Sequence, residues 1–233
     1  AINDAKARGV RVRVIVESGN ANAGLTLLNP AIPVLPSPGS SLYYGIMHNK
    51  FMVIDVNHAD PNRPLVMSGS TNWTQQQLQD DRNNLVFIQD RSLAIAYTME
   101  FEEMWGGSAA QPDTLNDKFG PDKTDNTPHL FNVAGKTVES FFSPSDNTNE
   151  QIIRSVNTAD HEAYFATMVF TRTDVANAFA DRVMNFGIYG AGIMNDSAGG
   201  SGPSFLIIQN AVGVARELLF DHATQPGILH HKY

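Results

Sequence analysis

One short string occurs twice in this chain: an apolar residue, a histidine, any residue, a lysine and an aromatic. It appears as Met47-His48-Asn49-Lys50-Phe51 and again as Leu229-His230-His231-Lys232-Tyr233. A single histidine ahead of a strand is more often a satisfied structural residue than a reactive one. Chance seldom repeats the whole string at matching points of two similar segments, so the repeat constrains the fold to present an imidazole and an ammonium together, twice. Phe51 to Ile54 has the β-branched and aromatic character of a buried strand, which puts His48 and Lys50, two apart, on one face just before it. Imidazole changes charge near neutrality, and a lysine beside it supplies a point charge for an anionic group such as a phosphate. Asp55 closes the run. Leu65 to Ser68 reads as the next strand, and beyond it Ser70 and Asn72 add a hydroxyl and an amide.

The rest of the chain alternates strands with helices. Asn3 to Arg8 reads as the end of a helix closed by Gly9, followed by a strand over Val10 to Val16. Asn20 to Ser41 is a loop with one helical turn near Leu25 to Leu28, Gln75 to Gln79 is short and helical, and Asn84 to Ile88 is a strand. Asp90 or Ser92 caps a helix through Trp105, whose Leu93, Ala96, Tyr97, Phe101 and Met104 form a buried stripe. Residues 108–134 hold several prolines and little apolar periodicity, and read as a solvated connecting loop. Val138 to Phe142 is a strand; Thr148 with Gln151 reads as a capping box for the next helix. Ala163 to Phe170 is a strand, Thr173 caps a further helix, and Ile188 to Met194 is a strand. This βαβα order predicts a mixed sheet under helices.

Composition narrows the function. The 233 residues are 42% apolar with 13 Phe, enough for one large or two modest domains. A net charge of −8 argues against a general electrostatic grip on nucleic acid. The chain has no cysteine, which excludes disulfides, thiolate zinc sites and a cysteine nucleophile. No apolar run approaches the roughly 20 residues a membrane span needs. Sparse lysine with abundant Asn, Thr and Ser fits a secreted or periplasmic bacterial protein. His58, His129, His161 and His222 fall in loops or beside turns without partners at ligand spacing. His231 points opposite His230 on a strand and reads as structural. Tyr43, Tyr44 and Trp73 flank the motif and are placed either to pack or to meet a substrate.

His48, Lys50 and Asp55, followed by Gly69, Ser70 and Asn72, resemble the signature of the phospholipase D superfamily, His-x-Lys-x4-Asp with a downstream Gly-Ser-x-Asn. The second copy matches through His230 and Lys232. The resemblance implies an α/β fold of two similar halves, each a mixed β-sheet flanked by helices, related by a pseudo-twofold and sharing one active site. Residues 1–107 and 135–233 are the expected halves, with 108–134 between them. By that register the chain is expected to be a fragment, lacking strands before Ala1 and the remainder of the second half after Tyr233.

The resemblance also implies hydrolysis of, or transfer from, a phosphodiester through a covalent phosphohistidine. One histidine attacks phosphorus and the other protonates the leaving alcohol. Lys50, Lys232, Ser70 and Asn72 are expected to hold the non-bridging oxygens, with no metal or other cofactor. Asp55, at the far end of its strand, is expected to support structure more than to touch phosphate. Asn83 stands where the family commonly carries an acidic residue that bonds the imidazole; an amide oxygen stabilises an imidazolium less, unless Asp80 or Asp81 takes over. A phospholipid, met in transient contact with a membrane surface, is the expected substrate. An endonuclease of the same superfamily and a catalytically weak phosphate-binding relative are the alternatives.

Overall fold

The computed structural model describes residues 1–19, 23–197, 199–213, 219–221 and 227–233, so His222 lies outside the described residues. The chain forms two compact units. One comprises Ala1–Met67 with Phe87–Asn147, the other Ser68–Val86 with Thr148–Tyr233.

In the first unit, helix α1 (Ile2–Ala7) gives way at Gly9, whose φ of 89° reverses the chain. Strand β1 (Val14–Val16) is shorter than the alternating run from Val10, which stands 44% exposed. After α2 (Ala23–Thr26), β1 pairs in parallel with β2 (Val34–Pro36), a strand hidden in the sequence by its flanking prolines. Strands β3 (Phe51–Ile54), β4 (Leu65–Gly69) and β5 (Leu85–Ile88) form a sheet in that order; β4 and β5 carry the chain across the boundary between the units. Helix α4 (Arg91–Trp105) starts where the Asp90 carboxylate accepts from Leu93 N and ends at left-handed Gly106. Its buried face carries Leu93, Ala96, Glu100, Met104 and Trp105. Leu93 and Ala96 pack with Val66 and Val53, Met104 and Trp105 with Leu35 and Phe119.

Residues 108–134 are mostly exposed but are anchored at a few buried side chains. Phe119 is 4% exposed and Lys123 8%, because the Lys123 ammonium pairs with Glu100 on α4 at 2.6 Å. Composition could not reveal this, since the partner lies in another element. Strands β6 (Leu130–Val133) and β7 (Lys136–Glu139) close a hairpin through Ala134 and Gly135, both at positive φ.

The second unit contains α3 (Gln75–Gln79), capped by the Thr74 side chain, and a parallel sheet in the order β10-β9-β8. Strands β8 (Glu162–Thr167), β9 (Tyr189–Met194) and β10 (Leu219–Asp221) alternate with α6 (Thr173–Asn185) and α7 (Gly202–Val212), after α5 (Thr148–Asn157). Ala176, Phe179, Met194, Ile208 and Val212 form its core. Thr173 is the first residue of α6 and not its cap; Arg172 holds the cap position without a side-chain bond to the helix. The fold is thus mixed α/β, with small sheets flanked by helices. Among the described residues no helix is long and apolar enough to cross a membrane.

Candidate active site

In the second unit, residues 229–233 are held as a strand on both sides. Arg82 N donates to Ile228 O and His230 N to Arg82 O, each at 2.8 Å. On the other side Ala166 N donates to Tyr233 O at 2.7 Å, and Met168 N to His231 O at 3.1 Å. Alternation along this strand puts His230 and Lys232 on one face and His231 on the other. Gly227 permits the approach: its φ is 74°, and a Cβ there would lie 2.4 Å from Asp80 O.

His230 is only 5% exposed, and its Nδ1 lies 2.9 Å from Asn83 Oδ1. The amide's orientation follows from its other contacts. Asn83 Nδ2 donates to Gln77 O at 2.9 Å and faces Asp81 O at 3.4 Å, two groups that only accept. Oδ1 therefore faces the imidazole, and His230 carries a hydrogen on Nδ1. Neither aspartate replaces Asn83. Asp81 uses its carboxylate on Gln77 Nε2 at 2.8 Å and Ile228 N at 3.0 Å. Asp80 meets its neighbours through its backbone: its N–H donates to Gln76 O at 2.8 Å and its carbonyl accepts from Arg82 at 3.3 Å.

Ser70 supports this arrangement. Its hydroxyl donates to Asn83 Oδ1 at 3.0 Å and accepts from Asn84 N at 3.0 Å. With Ser70 2% exposed, this hydroxyl braces Asn83, where the sequence had placed it on a phosphate oxygen. The glycine before it has a steric reason: at φ 152°, a Cβ on Gly69 would lie 2.2 Å from Asn84 O. Asn72 follows, half-buried, with its backbone N–H donating to Gln77 Oε1 at 3.3 Å.

The two motif lysines share one local geometry. Lys232 Nζ donates to His230 O at 2.9 Å, and Lys50 Nζ to His48 O at 2.9 Å. Burial lowers the Lys232 pKa. Burial, then the neighbouring Lys232 charge, lowers that of His231, whose ring meets Tyr233 edge-on at 5.2 Å.

In the first unit the His48 segment is positioned by two acids that the sequence reading missed. Glu17 Oε2, at the end of β1, accepts from Met47 N at 2.7 Å and from Ser37 Oγ at 3.0 Å. Asn49 Nδ2 donates to Glu100 Oε1 at 3.3 Å. Glu100 was detectable in principle, as a carboxylate four residues from both Ala96 and Met104 on the buried stripe. Asp55 stands apart from the motif histidine and lysine. It is exposed, at φ 57°, with Arg63 at 3.8 Å, and the strand from Lys50 carries it away. Five residues, at about 3.3 Å each along an extended chain, separate it from Lys50.

His129 has partners that its sequence context did not reveal. Ligand atoms of Asp125, His129 and Asp146 lie within 4.8 Å of one another. They act as a hydrogen-bonded brace: His129 Nε2 faces Asp125 at 3.0 Å and Nδ1 faces Ser140 O at 3.0 Å. Asp146 is engaged by Phe142 N at 2.7 Å and Ser145 Oγ at 2.6 Å. Opposite ring nitrogens serving different partners do not converge on one ion.

A family model described as "Cardiolipin synthase, PLD-like domain" matches residues 1–105. The mitochondrial cardiolipin hydrolase of Xenopus tropicalis is 37% identical over 102 residues, covering 42% of this chain and 43% of that protein. That of Xenopus laevis is 34% identical over 120 residues, half of each chain. A phospholipase D of Rickettsia felis is 31% identical over 97 residues, covering 42% and 45%. The chain thus spans half or less of the length of these curated relatives. No solved structure matches it. Residues 1–105, which hold the His-x-Lys-x4-Asp and Gly-Ser-x-Asn strings, are thus similar to the PLD-like domain of that family model and to part of each of these relatives.

Proposed function

We propose that the protein hydrolyses a phospholipid phosphodiester through a covalent phosphohistidine, with His230 as the nucleophile. The observation that carries this is the bond between His230 Nδ1 and Asn83 Oδ1, which places a hydrogen on Nδ1 and orients a buried ring, so that Nε2 is the nitrogen that would attack. A neutral amide stabilises an imidazolium less than a carboxylate does, so it suits the ring that must attack rather than the one that must donate a proton. As the Nε2–phosphorus bond forms, the phosphorus–oxygen bond to the leaving alcohol breaks, and a second imidazole, His48 by its motif, protonates that oxygen. Water then loses a proton to the same imidazole, attacks phosphorus and releases His230. The ammonium groups of Lys50 and Lys232 and the Asn72 amide offset charge on the non-bridging oxygens.

The cardiolipin hydrolase and phospholipase D relatives support a phospholipid substrate. Quenched single-turnover reactions test the reading: a phosphoryl adduct on the peptide containing residues 228–233, lost in His230→Ala, is expected with phosphatidylcholine or cardiolipin vesicles. An adduct confined to His48 overturns the assignment of the nucleophile. Turnover of DNA with none of lipid overturns the substrate class.

A further inference from the structure

From Ser18 through Met47 the chain carries no Asp, Glu, Lys, Arg or His, although charged residues make up 17% of the whole. The end of this run, just before His48, is a stiff tip. Ser41 N donates to Tyr44 O at 2.7 Å, and the Ser41 hydroxyl accepts from Tyr44 N at 2.9 Å. Tyr43 and Tyr44 each donate a phenol hydrogen to a different oxygen of Asp122, both at 2.6 Å. These bonds hold both phenols protonated, Tyr44 with its pKa pushed up to about 12. Both phenols are thereby satisfied, while Leu42 is fully exposed and Tyr43 and Ile46 are 57% and 63% exposed.

A tip that orders its polar groups internally and turns large apolar side chains outward has little reason to remain in water. We propose that Leu42, Tyr43 and Ile46 insert into the headgroup and upper acyl region of a phospholipid bilayer and dock the protein on the surface that holds its substrate. The inference rests on the phospholipid reading above. The absence of charge in the run favours a lipid surface over a protein partner: the ion at the tip, the Asp122 carboxylate, is held by the phenol hydroxyls and stays with them at the wet end of the rings. Tyrosine suits the boundary between headgroup and acyl chain, where one end of the ring is wet and the other apolar. With a net charge of −8, attachment draws on apolar burial and not on attraction to anionic lipid.

Flotation with phosphatidylcholine vesicles tests this. Wild-type binding is expected to be insensitive to salt, and the double variant Leu42→Ser, Ile46→Ser to bind at least about tenfold more weakly, since each side chain contributes apolar area. Its kcat/KM on vesicles should fall in proportion, with hydrolysis of a monomeric short-chain phosphodiester unchanged. Unchanged vesicle binding in the variant, binding abolished by salt, or a variant that instead loses self-association overturns the proposal. If wild type binds vesicles through these residues but hydrolyses neither substrate, the docking stands and the phospholipase reading fails.

Discussion

Asn83 Oδ1 accepts the Nδ1 hydrogen of His230 at 2.9 Å, joining residues 147 positions apart in the sequence. The bond fixes a hydrogen on Nδ1, and Ser70, Gln77 and Asp81 in turn hold the amide. Asn83→Leu removes the acceptor and is expected to lower kcat about 100-fold, the order seen when a group orienting a functional histidine is lost, with KM little changed. Asn83→Asp is expected to move the acidic limb of the kcat/KM profile to higher pH, because a carboxylate stabilises the imidazolium. An unshifted profile would show that the amide does not govern His230.

Lys232 gives a second test. Its pKa is lowered by burial, so between the folded value and the ordinary lysine value the unfolded chain binds more protons than the folded one. Its contribution to stability is therefore largest above the ordinary value and is lost as pH falls through the folded one. Lys232→Met should lower kcat by about 100-fold or more. Melting curves at about pH 8 and about pH 10 should show the wild type gaining stability relative to this variant at the higher pH.

Glu100 and Lys123 form a buried pair at 2.6 Å with side chains 2% and 3% exposed. Glu100→Gln leaves a buried ammonium without its counter-charge, at a cost of about 3–5 kcal/mol that calorimetry would detect as a fall in Tm of roughly 10 °C. The double variant Glu100→Leu, Lys123→Leu should recover most of that Tm. It also releases Asn49, so its activity should stay about tenfold below wild type. Burial raises the Glu100 pKa, so its stabilising contribution is full below the ordinary glutamate value and declines as pH rises through the folded one. The Gln variant should lose that dependence.

In the proposed mechanism lysines and an amide offset the charge on the phosphate. Turnover is accordingly expected to be the same in excess EDTA as in buffer. Inhibition reversed by a divalent ion would assign the clamp to a metal. Asp146→Asn, in the Asp125-His129-Asp146 brace, should change Tm without creating or removing such a response.

Local order was legible in the sequence because it depends on near neighbours. The apolar, β-branched and aromatic run Phe51–Ile54, the Asp90 cap of α4 and its end at Trp105 all stand where the sequence put them. The repeated His-x-Lys string by itself picked out His48, Lys50, His230 and Lys232, and Gly69-Ser70-x-Asn72 marked the segment whose hydroxyl meets Asn83. Tertiary structure alone decided who serves whom. It gave Asn83 to His230, turned the Ser70 hydroxyl onto Asn83, braced Met47 with Glu17, and set Lys123 beneath α4 against Glu100. Each of these is a hydrogen bond or ion pair between elements far apart in the chain. A polar side chain in a sequence looks the same whether it meets water or a buried partner, and only the packing of one element on another determines which.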